Sequence, residues 1–389
     1  MTADGVKPDF VGLKRLEPTL PSTAYYDATA FERDLAMLWH RNWVYAGRST
    51  ALKEPGSYKS VTIGRQTALI VRDEDGALRA FHNTCRHRGS VLCRESEGRL
   101  KSKLITCPYH AWSYDLKGDL RRVPSLSSPE GFDRKNFSLY PVALTEWRGL
   151  VFVCFDTANT PPFSQAFARG SDRLDHWPIE DLVTGHTYTR KLACNWKIFW
   201  ENYNECLHCP GVHPELCDMV PIYGRGITSE REDPKWTEHA GSDDPKLKGG
   251  LKRGAQSWTM DGRPVGSVFP DLTEAERSGA YHYMTSLPSM FMVGHVDYMR
   301  IVSMRPLGPE ETELTAEWLF PATTLADPNA DVAKAIDFAK IVLEQDADAC
   351  ELNQRGIRAL PHKQGVLMPE EMYLADFHAW VRAGLSEGR

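Results

Sequence analysis

The chain has 389 residues, 42% hydrophobic and 25% charged, the proportions of a globular protein rather than a disordered or fibrous one. Its 46 basic and 52 acidic residues leave a formal charge of -6, which offers nothing to a phosphate backbone or an anionic membrane, so neither nucleic acid nor membrane is an expected partner. No segment reaches the roughly 18 consecutive apolar residues of a spanning helix, and Met1 to Pro8 lack the basic start and apolar run of an export signal, so a cytoplasmic location is expected.

The length favours two domains, and the order of local patterns places them. Residues 1–40 form a leading segment whose apolar side chains around Phe31, Leu35, Leu38 and Trp39 recur at helical spacing. From Trp43 to Phe155 the pattern changes to short β-rich runs, including Ser60 to Ile63, Thr67 to Val71, Leu104 to Thr106 and Leu150 to Phe155. Turn signals separate them at Glu54-Pro55-Gly56, Asp73 to Gly76 and Lys117-Gly118-Asp119. A β domain over 41–160 follows, closed by a polar, proline-containing linker at Thr157 to Pro162.

The remaining residues, 161–389, read as an α+β domain. Strands are expected at Thr187 to Leu192, Met299 to Met304 and Glu313 to Phe320, with helices over about 194 to 209 and 331 to 354. The longer helix is expected to pack on the sheet. Residues 221–270, rich in glycine, proline and charge, read as excursions around a site.

Nine cysteines in such a chain argue for metal ligation before a disulfide framework. Cys85-Arg86-His87-Arg88-Gly89 and Cys107-Pro108-Tyr109-His110-Ala111-Trp112 each bring a thiolate and an imidazole to a turn between β runs. By residue type alone this set suits tetrahedral zinc as well as an iron–sulfur cluster. Cys93, Cys154, Cys194, Cys206, Cys209 and Cys217 read as packed or loop thiols.

A second constellation occupies Glu201-Asn202-Tyr203-Asn204-Glu205-Cys206-Leu207-His208-Cys209-Pro210-Gly211-Val212-His213. Glu205 and His208 are expected on one helical face, with Pro210-Gly211 breaking the helix so that His213 turns back toward His208. Asp346 falls on the apolar stripe through Ala335, Ala339, Val342, Ala349 and Cys350, where a carboxylate needs a cation or strong hydrogen bonds. Asp348 faces elsewhere.

Together these motifs resemble the Rieske non-heme iron oxygenase alpha subunits, the ring-hydroxylating oxygenase family, over nearly the whole chain. The signatures are Cys-x-His-Arg-Gly followed by Cys-x-x-His-x-Trp, then the Glu201 to His213 string and Asp346-x-Asp348-x-x-Glu351. That resemblance implies an N-terminal β-rich Rieske [2Fe-2S] domain followed by an α+β helix-grip (START-like) catalytic domain. It assigns Cys85 and Cys107 to one iron of the cluster, His87 and His110 to the other, and His208, His213 and Asp346 to a mononuclear Fe(II). The spacer of 19 residues between His87 and Cys107 is long for the family, and an enlarged loop around Ser96-Glu97-Gly98-Arg99 is expected to absorb it.

In the family, the cluster of one subunit serves the iron of its neighbour in a homotrimer. The matching bridge is His110 to Glu205 to His208, with Asn202 lining the iron site. Glu at position 205, where many relatives carry Asp, makes the chain similar to members acting on carnitine and related quaternary amines. The glycine betaine, proline betaine, carnitine and choline monooxygenase branch is the one it resembles most.

What the branch implies is hydroxylation, with N-demethylation, of a small quaternary ammonium compound by dioxygen. Electrons originate from NAD(P)H and arrive through a separate flavin/iron–sulfur reductase, since the chain has no glycine-rich dinucleotide fingerprint. A quaternary ammonium is best held by aromatic faces. Trp258, Tyr281, Tyr283, Phe291 and Tyr298, with Met284, Met290 and Met292, are the candidates for its pocket, and His295 and Arg300 for contact with a substrate carboxylate. The competing readings are hydroxylation of an aromatic acid, an electron carrier with the cluster alone, and a structural zinc protein.

Overall fold

The structure is a computed structural model that describes residues 10–167 and 172–386; the Met1 to Pro8 stretch lies outside them. The described residues divide into two compact units, one drawn from 35–167 and 286–290, the other from 10–34, 172–285 and 291–386. No helix among them is long and apolar enough to cross a membrane.

The first unit is β-rich. Its strands are β1 Val44–Arg48, β2 Ser57–Ile63, β3 Gln66–Arg72, β4 Leu78–His82, β5 Glu97–Arg99, β6 Leu104–Thr106, β7 Ser113–Asp115, β8 Leu120–Arg122, β9 Ala143–Trp147 and β10 Leu150–Cys154. They form three sheets, ordered β4-β3-β2-β5, β6-β7-β8 and β9-β10-β1. The expected loop around Ser96 to Arg99 is instead an edge strand. Ser57, Tyr58 and Lys59 of β2 pair with Arg99, Gly98 and Glu97, so the extra residues satisfy their backbone groups by extending a sheet. Between the sheets, Leu69, Val71, Phe81, Ile105, Tyr114 and Leu116 form a core that also takes in Cys85, Cys93 and Cys107.

The second unit is α+β. A sheet ordered β11-β15-β14-β13-β12 is built from β11 Val183–Leu192, β12 Tyr281–Ser286, β13 Met290–His295, β14 Met299–Gly308 and β15 Glu311–Phe320. The leading helical segment is α1 Ala28–Asp34; the π-helical turn that follows it in the chain, Leu35–Trp39, belongs to the first unit. Short helices α2 Trp196–Tyr203, α3 Cys209–Val212 and α4 Pro214–Met219 precede the long α5 Ala333–Gly356 and the final α6 Met372–Ser386. Helix α5 lies along α2 and against β11. On β11, Arg190 reaches Glu344, Asp348 at 3.1 Å and Glu351 at 3.4 Å, which fixes the rotation of α5 about its axis. Asp348 is thereby turned to this outer ion-pair cluster and Asp346 away from it.

Helix α2 begins at Asn195, whose side chain accepts from the Lys197 backbone N–H, and it buries Trp196, Ile198, Phe199 and Trp200. It also buries a charge. The Lys197 ammonium is fully enclosed and meets the Asp34 carboxylate, which accepts from Trp196 Nε1 as well. Burial pushes the Asp34 carboxyl up and the Lys197 ammonium down, and each is held charged by the other. Lys197→Met should therefore destabilise the protein by about 3–5 kcal/mol in chemical denaturation, and Asp34→Leu with Lys197→Met should recover most of that loss. A single variant no less stable than the double one would contradict this account.

Candidate active site

The two cysteine-histidine loops share one backbone design. Gly89 N–H donates to the Cys85 carbonyl at 3.0 Å and Ala111 N–H to the Cys107 carbonyl at 3.1 Å; Cys85 N–H donates to Ser90 O and Cys107 N–H to Trp112 O, both at 2.8 Å. In each loop the fourth residue after the cysteine is left-handed, Gly89 at φ 78° and Ala111 at φ 55°. Turning the chain twice in the same way brings the buried Cys85 and Cys107 thiols within hydrogen-bonding reach of each other. The two imidazoles point outward, with His87 exposed, His110 half-buried, and their ring centroids 4.8 Å apart.

The surroundings hold these groups in place. Trp112 stacks on His87 at 4.8 Å and Tyr109 lies against His110 at 3.8 Å. The Tyr114 hydroxyl accepts from Arg86 N–H at 3.0 Å and lies 3.3 Å from Cys85 Sγ. Two inner thiols and two outer imidazoles suit a cluster with one sulfur-held and one nitrogen-held iron. Cys93 stands apart in the core, its thiol pushed up to about 11 by burial, so it offers no thiolate.

The second site lies where α3, α4 and α5 meet. His208, His213 and Asp346 place one ligand atom each within 4.8 Å of one another. His208 Nε2 is 3.2 Å from His213 Nε2, and Asp346 Oδ1 is 2.9 Å from His213 Nε2 and 3.5 Å from His208 Nε2. His213 is 1% exposed and the Asp346 side chain 15%. Burial works to raise the Asp346 carboxyl, but the two imidazoles outweigh it and hold it down, to about 2.

The outer nitrogens are occupied as metal-ligating imidazoles require. His208 Nδ1 is 2.5 Å from Glu205 Oε1 and His213 Nδ1 is 2.8 Å from Gln345 Oε1, so both rings aim Nε2 inward. Gln345 is itself held by Glu215 at 2.8 Å. Three converging protein ligands with fixed tautomers fit an octahedral iron that keeps positions for exogenous groups.

The local backbone differs from the expected continuous helix. Helix α2 ends at Tyr203: the Asn204 N–H makes the last helical bond, to the Trp200 carbonyl at 3.1 Å, its side chain donates to the same oxygen at 2.7 Å, and its backbone then leaves the helix. Glu205 and His208 therefore meet across a turn and not on a helical face. Pro210 does not break a helix either; it lies in the first turn of the short α3, where a missing N–H costs nothing. Cys206 and Cys209, expected as separate packed thiols, are joined in a disulfide across this turn, their Cα atoms 5.0 Å apart. Asn202 Nδ2 lies 3.4 Å from His208 Nε2, on the metal-facing side.

Of the expected pocket residues, Trp258, Tyr281 and Tyr283 cluster, with ring centroids 4.9 to 6.3 Å apart. Tyr283 is the member of this cluster that lies within electrostatic reach of Asp346. Phe291 instead stacks on Tyr203 at 4.0 Å, and Tyr298 on His295 at 4.2 Å. Sequence reasoning missed Tyr223, whose ring centroid lies 6.2 Å from that of Tyr281, and Gln345. Neither carries a local signal: Tyr223 comes from the irregular 221–270 region, and Gln345 acts only through its long side chain.

Comparison with known proteins matches residues 179–387 to the ring hydroxylating alpha subunit (catalytic domain) model and residues 42–142 to the Rieske [2Fe-2S] domain model. The glycine betaine monooxygenase oxygenase subunit of Chromohalobacter salexigens is 29% identical over 96% of this chain and 87% of its own length. The carnitine monooxygenase oxygenase subunit of Acinetobacter baumannii is 27% identical over 97% of this chain and 94% of its own. A solved quaternary ammonium Rieske monooxygenase in complex with L-carnitine shares the fold, with a TM-score of 0.70, 23% identity, and coverage of 94% of this chain and 96% of its own.

The loop design itself is testable. Ala111→Gly removes a side chain from a left-handed position and should stabilise the holoprotein by about 0.5–1 kcal/mol, whereas Gly89→Ala, at the matching position, should cost about 1–2 kcal/mol. Thermal unfolding followed by the visible absorbance of the cluster reads both. Equal effects of the same sign would contradict the shared geometry.

Proposed function

The chain belongs to the ring-hydroxylating oxygenase alpha-subunit family, with a Rieske domain ahead of its catalytic domain, and from that premise we propose that it hydroxylates and N-demethylates a small quaternary ammonium compound. The observation that carries this reading is the cluster of the Tyr223, Trp258, Tyr281 and Tyr283 rings, whose Tyr283 lies within electrostatic reach of Asp346 in the His208, His213 and Asp346 triad. A trimethylammonium group offers no hydrogen-bond donor and is recognised by aromatic faces, which also exclude water from the reacting methyl. The named activities of the glycine betaine and carnitine relatives support the choice of substrate.

Cys85, Cys107, His87 and His110 would hold the cluster, and His208, His213 and Asp346 the mononuclear iron. When bound, the iron supplies dioxygen chemistry and the cluster supplies electrons one at a time. His208 Nδ1–H donates a hydrogen bond to Glu205 and His213 Nδ1–H one to Gln345 Oε1, so both imidazoles stay in the tautomer that presents Nε2 inward. Asn202 lines the same side. The aromatic cluster orients one N-methyl group toward the triad.

The balance is one N-methyl group, one dioxygen, two electrons and two protons giving an N-hydroxymethyl group and water. The N–C bond then breaks, leaving the tertiary amine, formaldehyde and a proton. The electrons originate from NAD(P)H and arrive through a separate flavin/iron–sulfur reductase. Glu205 bonded to His208 and the half-buried His110 suit a homotrimer in which His110 of one copy meets Glu205 of the next.

A panel of glycine betaine, proline betaine, carnitine, choline and benzoate, supplied with a Rieske-oxygenase reductase, tests this function. Formaldehyde release matched to oxygen uptake is expected for a betaine; a stable diol from the aromatic acid with no betaine turnover would overturn it. His208→Ala should lose the mononuclear iron while keeping the cluster spectrum, by metal analysis and absorbance. Trp258→Leu should raise KM for the best betaine about tenfold with a smaller change in kcat, since one cation–π contact contributes roughly 1–2 kcal/mol.

A further inference from the structure

The second unit's sheet carries a charge that the metal site does not use. Arg300, on β14 opposite Trp318 of β15, is 4% exposed, and neither its Nε nor its Nη1 has a hydrogen-bond partner. Among the described residues no carboxylate pairs with it, whereas Arg190 and Arg305 of the same sheet each do pair, Arg305 with Glu313 at 2.6 Å. A guanidinium taken out of water without a counter-ion is strongly disfavoured, so the fold keeps Arg300 there against its own stability.

Other unsatisfied groups accompany it. His295, at the end of β13, is 0% exposed and both its ring nitrogens lack partners; Trp258 Nε1, whose ring lies 5.4 Å from His295, is likewise unpaired and buried. Burial, and then the Arg300 charge, hold His295 neutral, so one of its nitrogens is a donor. Donors therefore outnumber acceptors here, and buried donors without acceptors mark a place where a ligand supplies them. Trp258 joins this donor group to the aromatic cluster, its ring 5.4 Å from His295 and 4.9 Å from Tyr281, and Tyr283 lies within electrostatic reach of both Arg300 and Asp346.

We propose that Arg300, with His295 beside it, binds the carboxylate of the substrate while the aromatic rings hold its trimethylammonium end, so that the enzyme selects zwitterionic betaines over cationic alcohols such as choline. The cation half of this assignment rests on the function proposed above; the anion half rests on the unpaired donors alone. Arg300 fixes the orientation of the substrate, so that its trimethylammonium end and not its carboxylate faces the triad. It is a specificity-determining residue and takes no part in bond making.

The test separates the two halves with carbon isosteres. Calorimetry on the iron-loaded, cluster-containing enzyme compares 3,3-dimethylbutyrate, which keeps the carboxylate of glycine betaine but not its positive charge, with 3,3-dimethylbutan-1-ol, which keeps neither. The wild type should bind the acid at least about tenfold more tightly. Arg300→Gln should weaken the acid by roughly thirtyfold or more while leaving the alcohol unchanged, and Arg300→Lys should recover part of the loss.

A wild type that binds the two alike, or does not bind the acid, overturns the proposal, as does a preference that survives in Arg300→Gln. The wild-type comparison decides even if the glutamine variant does not fold. Loss of acid binding in Arg300→Gln without turnover of any betaine would uphold the anion site and sink the quaternary ammonium reading. Betaine turnover with acid and alcohol bound alike would do the reverse.

Discussion

A carboxylate on the inward stripe of a long helix has to be neutralised, and this requirement organises the catalytic unit. Asp346 lies on α5 among Ala339, Val342, Leu343 and Cys350, where an isolated charge would be too costly to keep. Two imidazoles brought in by the turn after α2 and by the junction of α3 and α4 meet it, and their outer nitrogens are taken by Glu205 and Gln345. The Arg190 contacts to the far side of α5 hold the helix in the rotation that presents Asp346 inward. What would be a destabilising arrangement in an ordinary core becomes a three-ligand metal site because every surrounding hydrogen bond favours the ligating tautomers.

The first unit solves a different problem with one device used twice. Two loops of different sequence adopt the same hydrogen-bond pattern and the same left-handed fourth residue, so thiols converge inside and imidazoles outside. With a cluster on these four residues, the outward imidazoles would present its nitrogen-held side toward the surface, and the buried thiols beside Tyr114 would hold the other side within the core. In both units, function depends on polar groups that the fold orients but does not itself consume. Arg300 and His295 extend the pattern, with buried nitrogens that no described side chain satisfies.

Much of this was legible because its signals are local. The cluster loops announce themselves by short cysteine-histidine spacings, and Asp346 by a charge on an apolar helical stripe, which also separates it from Asp348 on the Arg190 side. The end of α2 was not legible. Apolar residues persist past Tyr203, and the helix stops at Asn204, whose backbone leaves the helical region while its side chain adds a second bond to the Trp200 carbonyl, a detail periodicity does not register. Strand β13 escaped for a related reason: all six of its residues are buried, so no alternation marks it. The edge strand at Glu97–Arg99 and the Tyr223 contact with Tyr281 depend on partners distant in sequence, and only the assembled fold reveals them.

Nitric oxide added to the reduced, iron-loaded protein under anaerobic conditions tests the central claim most directly, because it reports a mononuclear ferrous site by electron paramagnetic resonance. The account predicts a high-spin iron–nitrosyl signal in the wild type that disappears in Asp346→Ala, with the reduced cluster's own signal intact in both. A nitrosyl signal that survives Asp346→Ala, or none at all from the iron-loaded wild type, would contradict it.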